Sequence, residues 1–288
     1  MPTAESQTSD SRLRRLVDDH FPWSEEGTRP DSWDSRQRWV HRWLEARTAV
    51  YRTVATSLLA RVEPLIASLE ESLPTREQGR FFARVDASHV TKSPESILEK
   101  MLRRWKNPDE PPPISFHNLD QLTDLGRFRI VANFLGDVAT ITQHLAAPYD
   151  TTRLASLTPG QRALREEFIL IDNNFEDHIW RLPGNRQSGE RCRKGRFQPR
   201  AAEYRGYQVE VQLLTQLQEA WDKKDHGLIY EPVRRGEHVP EEHRILCANL
   251  SDQLFIADYQ FEQLRQRHSR QEPHRASAPE EVPHAAAK

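Results

Sequence analysis

The alternation of apolar and polar residues predicts a β-strand from Tyr207 to Leu213. Every second residue of this segment is apolar and those between are polar, which is the pattern of a strand with one buried face. Side chains two residues apart in a strand point to the same side. Glu210 and Gln212 therefore share one face, where a carboxylate is either solvated or directed at a ligand.

Directly after this strand the apolar spacing becomes helical. Leu217, Ala220 and Trp221 lie close to one stripe, as on a helix that packs against a core. Thr215 precedes them and has the residue type of an N-cap, since its hydroxyl can accept a backbone N–H of the first turn. The strand is therefore expected to continue into a helix. Lys223 and Lys224 on that helix fit a solvated face better than a cationic site.

Similar patterns recur along most of the chain. Period-two alternation predicts strands at 81–90 and 128–134, and the short apolar run at 168–171 is a candidate for a buried strand. Helical spacing predicts helices at 35–69, 97–105, 137–146 and from 241 onward. Pro64 is expected to kink or divide the first of these helices. The basic, Gly-containing segment 183–197 is expected to be a mobile loop. The apolar stripe of the last helix comprises Leu246, Leu250, Leu254, Ala257, Phe261 and Leu264.

Both ends of the chain are polar. Residues 1–30 predict a mobile N-terminal arm that docks, if at all, through Phe21 and Trp23, and residues 269–288 predict a disordered tail. Residues 31–268 between them form a single predicted domain.

Composition narrows the function classes. The net charge is −2 with 41 basic and 43 acidic residues, so no overall basic field favours bulk binding to nucleic acid or to an anionic membrane. Two cysteines are too few for a disulfide framework and lack zinc-site spacing. The sequence has no apolar run that spans a membrane and no secretory signal pattern, so a cytoplasmic protein is expected.

A basic turn precedes the second helix. Ser93 before Pro94 has the residue types of an N-cap and the first helical position, and helix N-termini attract anions. Lys92 stands at this turn, and Lys100 and Arg104 follow on one helix face. A solvated basic face is the more common explanation of such a run when nothing else supports a site.

Two carboxylates come from different predicted strands. Asp124 precedes the strand at 128–134, and Glu210 lies within the strand that ends at Leu213. Paired carboxylates beside a basic turn are what Mg²⁺-dependent phosphoryl transfer requires, because the metal and the cations neutralise phosphate charge. By residue type alone this pattern is common in proteins without such activity.

Four longer motifs make the pattern specific. KSPESILEKMLRR from Lys92, DLGRFRIV from Asp124, and EVQLLT from Glu210 followed by WDKKDHGLIY from Trp221 resemble, in this order, the RelA/SpoT synthetase family of alarmone pyrophosphokinases. The resemblance covers about Phe81 to Glu231 and is closest to the small single-domain members. It implies an α/β (α+β) fold, nucleotidyltransferase-like, with a mixed, roughly five-stranded sheet flanked by helices.

The resemblance also implies an activity, namely transfer of the β,γ-diphosphate of ATP to the 3′-hydroxyl of GDP or GTP. By motif, Asp124 and Glu210 would bind Mg²⁺, and Glu210 would help to deprotonate the hydroxyl. The ATP phosphates would be held by Lys92, Ser96, Lys100, Arg104 and Arg129. Gln212 would support the acceptor side, and His226 would contact phosphate or brace the Glu210 strand. His226 and Tyr230, at i and i+4, fit a packed pair equally well.

The chain departs from the family pattern at three positions. Val90 and Leu214 stand where the family usually has arginine, and Glu190 stands where a tyrosine that stacks on the acceptor guanine is expected. Two alternatives therefore stay open: the same chemistry on an adenine nucleotide or a tRNA 3′ end, as in toxin-like relatives, and a catalytically silent nucleotide-binding module. Nucleic acid is expected only as that tRNA acceptor, and a homo-oligomer is compatible with the sequence. No His-Asp signature of the family's hydrolase domain precedes residue 80, so degradation of the product by that route is not expected.

Overall fold

A computed structural model describes residues 4–73, 83–180, 189–235 and 237–275. Its described part contains a six-stranded mixed sheet in the order β1-β2-β6-β5-β3, with β4 paired to β5. β2 and β6 are parallel, and every other neighbouring pair is antiparallel. The strands are β1 Ala83–Asp86, β2 Gly126–Ala132, β3 Phe168–Leu170, β4 Glu176–Asp177, β5 Arg193–Pro199 and β6 Val209–Thr215.

Helices cover the sheet and extend from it. We number them α1 Ala4–His20, α2 Trp23–Glu26, α3 Trp33–Glu71, α4 Pro94–Arg104, α5 Leu135–Ala146, α6 Pro159–Glu167, α7 Gln216–Asp225, α8 Glu231–Arg234 and α9 Glu241–Arg275. A π-helical segment, His226–Tyr230, joins α7 to α8. The α+β class with a mixed sheet, expected from the sequence, is confirmed.

The two faces of the sheet differ in chemistry. Phe128, Ile130, Val211 and Leu213 point to one side and pack with α3 and α5 in the main hydrophobic core. Their neighbours in sequence point to the other side, which we call the polar face. The register aligns its members in two rows across β2, β6 and β5: Arg127, Glu210 and Arg196, then Arg129, Gln212 and Lys194.

At the N-terminus the chain is helical and packed where the sequence predicted a mobile arm. α1 spans Ala4–His20, and Leu16, Val17 and Phe21 are buried in a second core beside α3 and α4. Phe21 and Trp23 dock as expected, with ring centroids 4.6 Å apart. The polar residues of the segment concealed this packing because α1 places few apolar residues on its buried side.

Three further differences from the sequence prediction concern element boundaries. α3 continues through Pro64 as one helix. The segment 183–197 was predicted to be a mobile loop. Its first part, 183–188, lies outside the described residues, and its last part, from Arg193, belongs to strand β5. β6 is buried along its whole length, not on one face only, because α7, α9 and charged neighbours cover its polar side chains.

The helices α7 and α9 bury only some of the residues that the sequence predicted, Trp221 of α7 among them. In α7 the buried residues are Gln218, Glu219 and Trp221, and Ala220 is exposed. α9 contacts the domain partly through polar groups, since Asp258 Oδ2 accepts from the Thr215 hydroxyl at 2.5 Å, and partly through Phe255, which packs against the main core. Its predicted stripe is exposed at Leu246, Leu250, Phe261 and Leu264. α9 also runs to Arg275, past Ser269 where the tail was expected, and 276–288 lie outside the described residues.

Membrane insertion finds no support in the helices. Within the described ranges, no helix combines the length and the apolar composition needed to cross a bilayer.

Candidate active site

Asp124 lies between two lysines at the start of β2. Its Oδ2 is 3.1 Å from Lys92 Nζ, and its Oδ1 accepts from Lys100 Nζ at 2.6 Å. Lys92 is fixed by its backbone N–H, which donates to the Leu125 carbonyl. Lys100 is fixed by α4, which begins as predicted with the Ser93 side chain accepting from the backbone N–H of Ser96. The two lysines predicted from one motif and the carboxylate predicted from another thus form one cluster.

The charges in this cluster are strongly coupled. Burial alone would raise the pKa of Asp124, but Lys92 and Lys100 outweigh it and lower that pKa to about 2. For Lys100 the balance is reversed, because burial lowers its pKa despite the attraction of Asp124. Asp124 is therefore an ionised carboxylate held by two lysine ammonium groups. Burying one of these groups, that of Lys100, itself costs free energy.

The other residues predicted on α4 lie beside this cluster. Arg104 is exposed one turn after Lys100, and its charge helps to lower the pKa of Lys100. The Ser96 hydroxyl is 3.2 Å from that of Ser93 at the helix N-terminus. Lys92, Ser96, Lys100 and Arg104 therefore follow one side of α4 from the turn before it to its last residue, and we call them the basic surface of α4.

Glu210 is embedded in a chain of hydrogen bonds on the polar face. Its Oε1 accepts from Gln212 Nε2 at 2.6 Å, and Gln212 Oε1 accepts from Arg129 Nε at 3.0 Å. Arg129 Nη2 is in turn 2.7 Å from Asp222 on α7. Arg129, predicted to support ATP phosphates, is thus held by Gln212 and Asp222, and it orients the amide that contacts Glu210.

Burial raises the pKa of Glu210. The charge of Lys194 and the hydrogen bond from Gln212 oppose this rise, whereas Asp124 and Glu190 add to it. The influence of Asp124 indicates that the two carboxylates share one electrostatic environment. Their pKa values shift in opposite directions, so Glu210 binds a proton more readily than Asp124 does.

A cleft of about 550 Å³ opens at Glu210. Lys194 and Arg196 of β5 line it beside Glu210, and Thr123, which precedes Asp124, lines it from the other side. We call it the Glu210 cleft. It has room for a small polar ligand between the carboxylate and two cations.

The turn between β3 and β4 forms the outer wall of the Glu210 cleft. Asp172 and Asn173 have φ values of 62° and 53°, a left-handed conformation that Asn and Asp tolerate better than other residues with a Cβ. Asp172 Oδ2 accepts from Arg196 Nη2 at 2.9 Å. Behind the turn, Phe175 packs so closely on Gly195 that a Cβ there would collide with the ring. The turn is thereby fixed against β5.

His226 lies away from the Glu210 cleft. It starts the π-helical segment, its ring centroid is 4.9 Å from that of Tyr230, and its Nε2 is 3.6 Å from Glu231. This is the packed pair that the spacing allowed. Among the described residues, these contacts do not reach β6, so a role in bracing the Glu210 strand has no support. Tyr230 also accepts a hydrogen bond from Arg103 Nη1 at 3.2 Å, which ties the segment to α4.

The three departures from the family pattern have structural counterparts. Leu214 is buried with Val131 and Cys192 in a small apolar cluster on the polar face beyond Gln212. Val90 is half-buried, and its carbonyl accepts from the Arg127 backbone N–H at 2.9 Å. Glu190 Oε2 is 2.7 Å from Lys194 Nζ, so a carboxylate occupies the position where an aromatic ring was expected.

Sequence reasoning missed the contribution of β5 to the site. Lys194 and Arg196 lie in the segment 183–197, which the sequence predicts to be a loop. Gly195, Phe197 and Pro199 are buried and alternate with half-buried residues, so the alternation of a strand is present. The density of Gly and Arg concealed it.

The donor groups at this site fit a magnesium ion only in combination with substrate. No cluster of three or more His, Cys, Asp or Glu side chains suited to a metal occurs among the described residues. Asp124 and Glu210 supply two carboxylates, and Mg²⁺ in nucleotide sites is typically held by one or two carboxylates, water and the phosphates themselves. The residue types therefore fit Mg²⁺ that arrives with a nucleotide.

Solved structures of small alarmone synthetase 1 from Bacillus subtilis share this fold. One is 19% identical to the chain, covers 80% of it and 98% of the other chain, and has a TM-score of 0.55. The structure bound to its product pppGpp is 19% identical over 78% of this chain and 98% of that one, with a TM-score of 0.57. The structure bound to AMPCPP is 16% identical over 80% and 99%, with a TM-score of 0.50. The sequence matches no protein-family model and no curated protein.

At these identities the similarity concerns the fold. The chain has the fold of the RelA/SpoT synthetase domain, over nearly the full length of the solved relatives, as the motifs predicted.

Proposed function

We propose that this protein is a Mg²⁺-dependent pyrophosphokinase that transfers the β,γ-diphosphate of ATP to the 3′-hydroxyl of GDP or GTP, producing ppGpp or pppGpp. The observation that carries the proposal is the placement of Asp124 just before β2 and of Glu210 on the neighbouring strand β6, with opposite pKa shifts, on a fold shared with alarmone synthetases. One carboxylate that stays ionised and one that can accept a proton are what metal-assisted attack by a hydroxyl requires. ATP and GTP as substrates make the cytoplasm the proposed compartment.

The basic surface of α4 would receive ATP. Lys92 and Lys100 hold Asp124 in the free protein, and Arg104 and the Ser96 hydroxyl extend the surface along the helix. Lysine ammonium groups serve as point charges for phosphate. When a triphosphate arrives, the two ammonium groups would turn from the carboxylate to the phosphate oxygens, so that Asp124 becomes available as a metal ligand.

Glu210 would act as the general base. Its raised pKa brings it closer to the pH at which a base is both unprotonated and strong enough to assist. It would take the proton of the 3′-hydroxyl as the new oxygen to β-phosphorus bond forms and the bond between the β-phosphorus and the α-phosphate oxygen breaks, releasing AMP. Gln212 keeps one Glu210 oxygen occupied, which leaves the other to face the hydroxyl.

Asp124 and Glu210 would hold Mg²⁺ together with the ATP phosphates. When bound, the ion would neutralise charge that develops on the transferred group and its leaving oxygen. Lys194 and Arg196 in the Glu210 cleft would offset the remaining negative charge near the acceptor.

A second acceptor class is favoured by one specific observation. Glu190, in place of the guanine-stacking tyrosine, is paired with Lys194 at the acceptor side. Without the aromatic ring, an adenine nucleotide or a tRNA 3′ end is the alternative acceptor for the same chemistry. The silent-module alternative is weaker, because a protein without catalysis has no need for two carboxylates at this face.

Transfer of label tests these proposals directly. Purified protein is incubated with ATP labelled at the γ-phosphate, Mg²⁺, and in turn GDP, GTP, AMP, ATP or tRNA, with the Glu210→Gln variant as the blank. Label should move to GDP or GTP in the wild-type protein only. Transfer to AMP, ATP or tRNA alone would select the second acceptor class. Binding of nucleotide without transfer to any acceptor would refute the enzymatic proposal and favour the silent module.

A further inference from the structure

Three arginines converge on a surface cleft at the edge of the sheet that carries β3. Arg162 and Arg165 come from α6 and Arg200 from the segment after β5, and together with Leu154, Leu157 and Glu166 they line a cleft of about 460 Å³. We call it the arginine cleft. It shares no lining residue with the Glu210 cleft, so it is a separate feature of the molecule.

These arginines lack carboxylate partners, unlike most arginines near them. Arg61 is paired with Glu167, Arg196 with Asp172 and Arg193 with Asp177. Within the ranges that the structure describes, Arg162, Arg165 and Arg200 form no ion pair. Glu166 at the rim brings one negative charge against three positive ones, so the cleft keeps a net positive charge of about two.

Backbone contacts hold two of the guanidinium groups in place. Arg165 Nη1 donates to the Pro148 carbonyl at 2.6 Å, and Arg200 Nε donates to the Arg165 carbonyl at 2.7 Å. Both groups lie near the buried Tyr149 hydroxyl: burial raises the pKa of Tyr149, and the charges of Arg200 and Arg165 oppose that rise. Each group still has N–H donors that are not used in these contacts. Positive charge is therefore oriented before any ligand arrives.

We propose that the arginine cleft binds a phosphorylated small molecule. A single carboxylate would leave the cleft positive, whereas a di- or triphosphate matches three guanidinium groups in charge and in fork geometry. Leu154 and Leu157 supply an apolar wall on which a flat ring attached to the phosphate can rest. The proposal does not depend on the activity of the Glu210 cleft.

One short strand, β3, joins the arginine cleft to the Glu210 cleft along the chain. α6 ends at Glu167 and β3 begins at Phe168. β3 leads directly into the turn of Asp172 and Asn173, which walls the Glu210 cleft. A ligand that fixes α6 through Arg162 and Arg165 thus acts on the same chain segment that shapes the acceptor side.

The test uses inorganic pyrophosphate as the probe, without metal, and isothermal titration calorimetry as the readout. A Lys92→Gln, Lys100→Gln variant removes the two lysines that hold Asp124. Within this background, the effect of a substitution in the arginine cleft separates that cleft from Arg104 and from the cations of the Glu210 cleft. In this background we add Arg162→Gln, because the Arg162 side chain makes no hydrogen bond within the described part of the chain and its loss should not disturb folding. Arg153→Gln is the matched control, since Arg153 is exposed, paired with Asp150 and not part of the cleft.

The background variant should bind one pyrophosphate per chain. Relative to the background variant, Arg162→Gln should weaken pyrophosphate binding about tenfold, as expected for the loss of one charge-assisted hydrogen bond. Arg162→Lys should weaken it about threefold, and Arg153→Gln should leave it nearly unchanged. Circular dichroism should be the same for all variants. Absence of pyrophosphate binding in the background variant, or equal binding by Arg162→Gln and Arg153→Gln, would overturn the proposal. Neither result bears on label transfer, which the first experiment measures separately.

Discussion

Gln212 donates its side-chain N–H to Oε1 of Glu210 across 2.6 Å, from the next position on the same face of β6. This contact holds the carboxylate in one orientation although burial disfavours its charge. The amide can do so only because Arg129 occupies its oxygen and prevents the amide from turning over. The orientation of the Glu210 carboxylate therefore depends on residues from two other elements, β2 and α7.

Replacing Glu210 by Gln should abolish transfer without destabilising the protein. The variant keeps an oxygen that can accept from Gln212 but loses the base, so we expect transfer to fall by at least about 10²-fold. Burial raises the pKa of Glu210 above its value in the unfolded chain. The folded protein therefore loses stability as the pH rises and Glu210 ionises. The free energy of unfolding near pH 7, measured in urea, should therefore increase.

Glu203→Gln is the matched control for this variant, because Glu203 is exposed in the loop before β6. It should leave both transfer and stability unchanged. A Glu210→Gln protein that retains full transfer would show that another group serves as the base.

Replacing Asp124 by Asn should abolish transfer and also lower stability. The pKa of Asp124 is lowered to about 2, so its charge stabilises the fold above its unfolded pKa and this contribution is lost as pH falls through about 2. The cost of burying Lys100 offsets part of this stabilisation. We expect the free energy of unfolding of Asp124→Asn to be lower than that of the wild type by about 1 to 2 kcal/mol near pH 6. Urea unfolding between pH 2 and 7 measures it.

The stability difference between wild type and Asp124→Asn should shrink as pH falls and vanish near pH 2. Asp109→Asn, at an exposed position, serves as the control and should follow the wild type throughout. A difference that is independent of pH would mean that the variant acts through packing and not through the charge of Asp124.

The sequence predicted this cluster because its signals are local. Ser93 and Pro94 mark the helix start, the spacing of Lys92 and Lys100 places both near that start, and Asp124 directly precedes an alternating strand. The Arg129 contact with Asp222 could not be predicted in this way, since it depends on how α7 packs over the sheet. For α9 the sequence predicted the helix correctly but assigned the wrong side to the core. Helical periodicity identifies an amphipathic helix, whereas the buried hydrogen bond between Asp258 and Thr215 helps to decide which side faces the domain.

Arg129 should behave as a positioning residue and not as an ATP ligand. Arg129→Lys keeps the charge but cannot bond Gln212 and Asp222 together. We expect kcat to fall about tenfold with KM for ATP changed less than about twofold, since the loss is confined to orientation of Glu210. Steady-state kinetics at varied ATP separates the two parameters.

Asp222→Asn breaks the other end of the same contact and should reproduce the effect of Arg129→Lys. A large rise in KM for ATP in Arg129→Lys, without a matching rise in Asp222→Asn, would instead assign Arg129 to the ATP phosphates.

Lys194 should set the pH dependence of the reaction. Its charge opposes the rise in the pKa of Glu210, so Lys194→Gln should raise that pKa further. If Glu210 is the base, the acid limb of kcat/KM against pH reports its pKa in the free enzyme, and this limb should move to higher pH. Lys224→Gln, at an exposed position on α7, should leave the profile in place. Superimposable profiles for the two variants would exclude electrostatic coupling between Lys194 and the base.

Leu214 stands where the resemblance to the family predicts an arginine. The structure predicts that introducing this arginine would destabilise the protein. The side chain is 4% exposed and packs with Val131 and Cys192. Leu214→Arg would bury a guanidinium group without a partner, and we expect the free energy of unfolding to fall by about 2 to 5 kcal/mol. Leu214→Met keeps the volume and should cost less than about 1.5 kcal/mol. Urea unfolding of both variants tests this. An arginine variant as stable as the methionine variant would show that the position opens to the ligand side, and this one of the three departures from the family pattern could then be reversed by a single substitution.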